Sequence, residues 1–82
     1  MDIKQEVLVV IDEALGLGGR AKNFQSDTPL LGVLPELDSM AVVGVLNLLE
    51  EHFDFIVGDD EIDGSTFATV GTLVAFVESK LA

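Results

Sequence analysis

Ser39 follows Asp38 directly ahead of an apolar run that reaches Phe53. Both residue types accept hydrogen bonds from the free N–H groups of a first helical turn, so the pair reads first as a helix cap worth about 1 kcal/mol. Two other groups of residues have types that could do chemistry. Asp59, Glu61, Asp63 and Gly64 match the opening ligand and glycine positions of a helix-flanked calcium loop. Val70 stands where that loop needs its bidentate carboxylate, so at most weak, nonspecific divalent binding is expected and no metal site is assigned. His52 has neither a cysteine nor a second histidine to complete a zinc site, which leaves it a packing role. Ser39 and His52 are not a hydrolytic pair either, because their separation along one helix is about 20 Å at about 1.5 Å per residue. The chain holds no cysteine, hence no disulfide, thiolate ligand or thiol nucleophile of its own. No catalytic residue is assigned.

Fifteen Asp and Glu against four Lys and Arg leave a net charge of −11 with the single His neutral. Such a field repels phosphate backbones and anionic lipid head groups, which argues against DNA, RNA and membrane surfaces and for basic protein partners. The 82 residues, 49% of them hydrophobic, suit a single soluble domain over 1–82. At this size folding hides only about 60% of the surface of the unfolded chain, so a deep walled active site, and with it a conventional enzyme, is disfavoured. The longest apolar stretch, Met40 to Leu49, contains Gly44 and Asn47 and is about half of the roughly 20 residues a membrane span needs. The early run Val7 to Ile11 is too short and wrongly flanked for a signal peptide, so a cytoplasmic monomer is expected.

The elements that must position these residues read as helices. Asp2 with Gln5 has capping-box form, and Ile3, Val7, Val10, Ile11 and Leu15 recur at helical spacing before Gly16, which predicts a first helix over about 3–15. Gly16 to Leu37 holds four glycines and both prolines, a long connection that Leu17, Phe24, Leu30, Leu31, Val33, Leu34 and Leu37 can pin to a bundle. Asp38 and Ser39 then open a second helix whose buried face is predicted to be Met40, Val43, Leu46, Leu49 and Phe53. Residues 54–65 carry one short helical turn around Ile62, and a last helix starts near Ser65 or Thr66, buries Phe67, Val70, Leu73, Val74 and Val77, and ends near Lys80. The expected fold is all-α, a small four-helix bundle of three long helices and one short, with a long loop between helices one and two.

An acidic chain of this length, with a serine near its midpoint, a long loop before it and three long helices, resembles an acyl carrier protein. The strongest parts of the resemblance are Leu37-Asp38-Ser39-Met40, Leu49-Glu50-Glu51-His52-Phe53, Asp59-Asp60-Glu61-Ile62, and Thr69-Val70 with Leu73. It implies a carrier without catalysis of its own, with 4′-phosphopantetheine from coenzyme A attached to Ser39 by a phosphopantetheinyl transferase. Asp38 would help to present the serine and the transferase's metal ion. The chemistry suits the place: a serine opening a helix exposes its hydroxyl, and the phosphodiester then sits where free N–H groups and the helix dipole favour an anion. The family's usual Gly-x-Asp-Ser-Leu reads here Glu36-Leu37-Asp38-Ser39-Met40, so Glu36 adds charge and bulk before the serine, while Met40 roughly keeps the volume of Leu. The run from Pro35 to Met40 is also similar to carriers of bacterial exosortase systems.

The family's fatty-acid carriers show acidic residues soon after the serine, whereas acid is displaced here to Glu50, Glu51 and Asp54. A docking surface for acyl ligases or synthases is therefore expected over Met40, Ala41, Val42, Val45 and Leu48, steered by Glu50 and Glu51, in a specialised lipid or secondary-metabolite pathway rather than general fatty-acid synthesis. The competing reading makes that face ordinary core. An acyl slot is expected between the second and last helices, lined by Leu46, Val57, Ile62, Phe67 and Leu73. A small acidic interaction module without a prosthetic group is the alternative function.

Overall fold

The computed structural model describes residues 2–82, and of Asp59 the backbone only. Helix α1 spans Ile3–Leu15, α2 Ser39–Phe53 and α3 Val70–Leu81. Each begins on an expected kind of residue: the side chains of Asp2, Asp38 and Thr69 accept hydrogen bonds from the N–H groups of Gln5, Ala41 and Thr72. Helix α1 stops at Gly16, whose φ of 64° is the left-handed conformation that glycine adopts without a Cβ penalty. Helix α2 stops at Asp54 in the same conformation, with its N–H donating to Glu50.

Helix α1 is the centre of the packing and lies against both α2 and α3, which scarcely approach each other. Val7, Val10 and Ile11 of α1 meet Val45, Leu49 and Phe53 of α2 and Val70, Leu73 and Val77 of α3 in one core. The long first connection completes that core with Leu17, Ala21, Leu30 and Leu37, all buried. Its middle runs beside the entry to α3: Leu30 and Leu31 donate to the carbonyls of Ala68 and Phe67, while Val70 and Gly71 donate to those of Thr28 and Ser26. Pro29 and Thr69 thereby form an isolated bridge in an otherwise helical molecule.

The structure changes three expectations. The short fourth element is two successive 3-10 turns, Asp59–Glu61 and Gly64–Phe67, and a further 3-10 turn, Arg20–Asn23, lies in the first connection. The last helix starts after Thr69 and not at Ser65 or Thr66, because Asp63 caps its own turn by accepting from Ser65 N–H, and Thr69 is held extended at the bridge. Phe67 is buried as expected, but from the turn that precedes the helix, and Val74 is only half-buried. The buried face of α2 is also rotated from the predicted one. Met40 and Val43 are 79% and 54% exposed, whereas Val45 is 1% exposed. Apolar residues surround this helix on all sides, so periodicity leaves its phase open and packing against α1 decides it.

Candidate functional site

Ser39 is exposed as the first residue of α2. Two neighbours fix its place: Leu37, buried two residues earlier, and Asp38, whose Oδ1 accepts the N–H of Ala41 at 2.8 Å. Leu37 is itself reached through a folded segment in which Leu34 donates to Leu30 O and Leu37 to Leu34 O, both at 3.0 Å. With Asp38 turned onto the third N–H and its carbonyl accepting from Val42, the N–H groups of Ser39 and Met40 are left to solvent or to an anion. A phosphodiester on the serine would lie there, so the residues present fit such a group.

Glu36, the residue that departs from the family run, is not a bare charge. Its Oε2 accepts from an Nη of Arg20 at 2.5 Å, and this guanidinium holds the Glu36 carboxyl below the usual carboxylate range. Nothing in residue spacing links positions 20 and 36. The only sequence hint is that each of the four cations in so acidic a chain has many carboxylates to choose from.

The expected docking set does not form one surface. Met40 and Glu51 are exposed, but Ala41, Val42 and Leu48 are half-buried against the core and Val45 is inside it. Glu50 is half-buried and accepts from the backbone N–H of Val57 at 2.8 Å. The exposed apolar residues of α2 are instead Met40 and Val43.

The expected acyl slot is likewise not formed by its five residues. Phe67 and Leu73 line a void too narrow for water, together with Ile11, Leu15, Leu30, Leu37 and Val45. Leu46 and Ile62 pack on the edge of the core, and Val57 is half-exposed. The missed lining residues come from α1, the first connection and, at Val45, the buried face of α2, where the sequence marks them as apolar but not as neighbours of α3.

His52 joins the end of α2 to the start of α1: its Nε2 lies 2.6 Å from Oε1 of Glu6, and its ring meets Phe53 edge-on with centroids 4.9 Å apart. Two carboxylates of the calcium-like stretch are committed elsewhere. Glu61 pairs with Lys80 and accepts the N–H of Gly58, and Asp63 takes both the N–H and the hydroxyl of Ser65. Lys80 lowers the pKa of Glu61 and Ser65 lowers that of Asp63. Val70, at the place of the missing bidentate ligand, is fully buried. Among the described residues no cluster of three metal-ligating side chains forms, and no helix is long and apolar enough to cross a membrane.

A small helical bundle that opens its second helix on an exposed, capped serine has the architecture of a carrier module. No family model matches the chain. An acyl carrier protein of Prochlorococcus marinus (strain MIT 9515) is 37% identical over 83 residues, covering 96% of this chain and 92% of the relative. Another, from Exiguobacterium sp. (strain ATCC BAA-1283 / AT1b), is 32% identical over 80 residues, with coverage of 95% and 98%. The solution structure of a holo acyl carrier protein from Nitrosomonas europaea superimposes with a TM-score of 0.90 at 49% identity, covering 99% of this chain and 98% of that one. The chain belongs to the acyl carrier protein family, whose members carry acyl groups and do not catalyse.

Proposed function

We propose that Ser39 bears 4′-phosphopantetheine and that 1–82 is a single, monomeric, cytoplasmic carrier domain. The observation that carries this reading is the exposed serine at the start of α2, capped through Asp38, in a chain 49% identical to a holo carrier of the same fold. In the modification a phosphopantetheinyl transferase takes the hydroxyl proton of Ser39. The serine oxygen bonds to the phosphorus next to pantetheine as the pyrophosphate bond of coenzyme A breaks and adenosine 3′,5′-bisphosphate departs. The group supplies the thiol that a cysteine-free chain lacks and holds acyl groups on it as thioesters. Asp38 keeps the first turn formed while the hydroxyl stays in solvent.

Partner ligases or synthases dock on the Met40 and Val43 side of α2, and the displacement of acid from the first three turns of the helix to Glu50, Glu51 and Asp54 supports a specialised pathway. The test is co-expression with a phosphopantetheinyl transferase and intact-mass measurement. One phosphopantetheinyl increment on the wild type, absent from Ser39→Ala, is expected; an unmodified wild type favours the interaction module. Val43→Glu is expected to slow acyl loading by the natural partner while leaving the helical circular dichroism unchanged. Val45→Glu is unsuitable as a docking probe because that residue is core.

A further inference from the structure

Arg20 is a surface cation held both through its backbone neighbours and through its guanidinium. The half-buried carboxylate of Asp12 accepts the N–H of Gly19 at 2.9 Å and that of Ala21 at 3.0 Å, which ties both neighbours of Arg20 to α1. Ala21 is fully buried beside it. The guanidinium then uses two of its edges: Nε donates to Leu17 O at 3.2 Å, and an Nη donates to Glu36. The remaining Glu36 oxygen is shut off from solvent, which turns that edge of the carboxylate toward the protein while Arg20 holds the other. Directly after it come buried Leu37, the cap Asp38 and Ser39.

We propose that Arg20 and Glu36 are positioning residues for the modification of Ser39, fixing the segment that presents its hydroxyl to the transferase. This rests on the reading of Ser39 given above. The physical ground is that Arg20 bridges the turn after α1 to the residues before α2 with two edges of one planar guanidinium, Nε on Leu17 O and one charge-assisted Nη bond on Glu36, a geometry that lysine cannot reproduce. A hydroxyl attacking phosphorus is sensitive to displacement: a shift of about 1 Å costs on the order of a hundredfold in rate. Asp12, Arg20 and Glu36 form one path of contacts from the rigid first helix to the reacting residue, and none of them touches coenzyme A in this role.

The experiment measures phosphopantetheinyl transfer from coenzyme A to the full chain by intact mass, with the carrier as the varied substrate. Arg20→Gln and Glu36→Gln are each expected to lower kcat by about tenfold while KM for the carrier stays within about twofold, the split that mispositioning and not lost docking produces. Exchanging the two charges (Arg20→Glu with Glu36→Arg) is expected to recover part of the loss, and Arg20→Lys to fall between wild type and Arg20→Gln. Amide exchange at Leu37 and Ala41, whose N–H groups donate to Leu34 O and Asp38 Oδ1, should be faster in the single variants, with unchanged exchange at Leu49. Single variants as fast as wild type, a loss confined to KM, or an exchanged pair no faster than the singles would overturn the proposal while leaving Ser39 as the attachment point. A wild type that is never modified overturns the reading of Ser39 and this inference with it.

Discussion

The two connections of this bundle are held by different physics. The first, between α1 and α2, contributes Leu17, Ala21, Leu30 and Leu37 to the core and exchanges four backbone hydrogen bonds with residues 67–71. The second, between α2 and α3, is held mainly by carboxylates: Glu50 on Val57 N–H, Glu61 on Gly58 N–H and Lys80, and Asp63 on Ser65. Among its described side chains Phe67 alone is fully buried, with Phe55 and Ile62 packed at the edge of the core. The longer connection is therefore the more structural of the two. Burial of apolar groups and paired backbone resists salt and pH, whereas exposed ion pairs and charged caps are screened by salt and lost on protonation.

The sharpest way to break that contrast is to empty the anchor of the first connection. Leu30 is 1% exposed, and Leu30→Ala is expected to cost about 2–5 kcal/mol in urea unfolding through lost transfer energy and a residual cavity. A cost below about 1 kcal/mol would show that the connection can collapse onto the void and is not an anchor.

A smaller effect is expected at the seam with α3. A Cβ at Gly71 would stand 2.9 Å from the carbonyl oxygen of Ser26, the acceptor of the Gly71 N–H at 2.7 Å. Gly71→Ala should destabilise by about 1–3 kcal/mol despite the better helix propensity of alanine, with faster amide exchange at Val70 and Gly71. Unaltered exchange there would mean the loop moves aside at no cost.

The smallest effect belongs to the second connection. Lys80 lowers the folded-state pKa of Glu61 below its ordinary 4.5, so the stabilisation is fully present above 4.5 and is lost as pH falls through the lowered value. Glu61→Gln should lower Tm at neutral pH by a few degrees at most, and the gap to wild type should close on acidification and shrink in high salt. A gap that persists at about pH 3 would assign Glu61 a packing role instead.

Much of this was legible because local rules decided it. Asp2, Asp38 and Gly16 mark helix ends by their own side chains or lack of one, and Ser39 is exposed because the first residue of a capped helix has few neighbours. Glu36, read as an isolated extra charge before the serine, is neutralised by a residue that no periodicity connects to it. The start of α3 was misplaced because Thr28 and Ser26, far back in the chain, accept the N–H groups of Val70 and Gly71 and hold Thr69 extended. The phase of α2 was misplaced because an all-round apolar helix offers several equivalent faces.

By itself, then, the sequence determined an acidic three-helix chain with an exposed serine opening its second helix, since caps, breakers and charge act over a few residues. Tertiary structure alone decided which side of α2 is buried, where α3 begins, what lines the interior void and which cation meets Glu36. Those outcomes depend on pairs of groups distant along the chain, and only packing brings them within contact range.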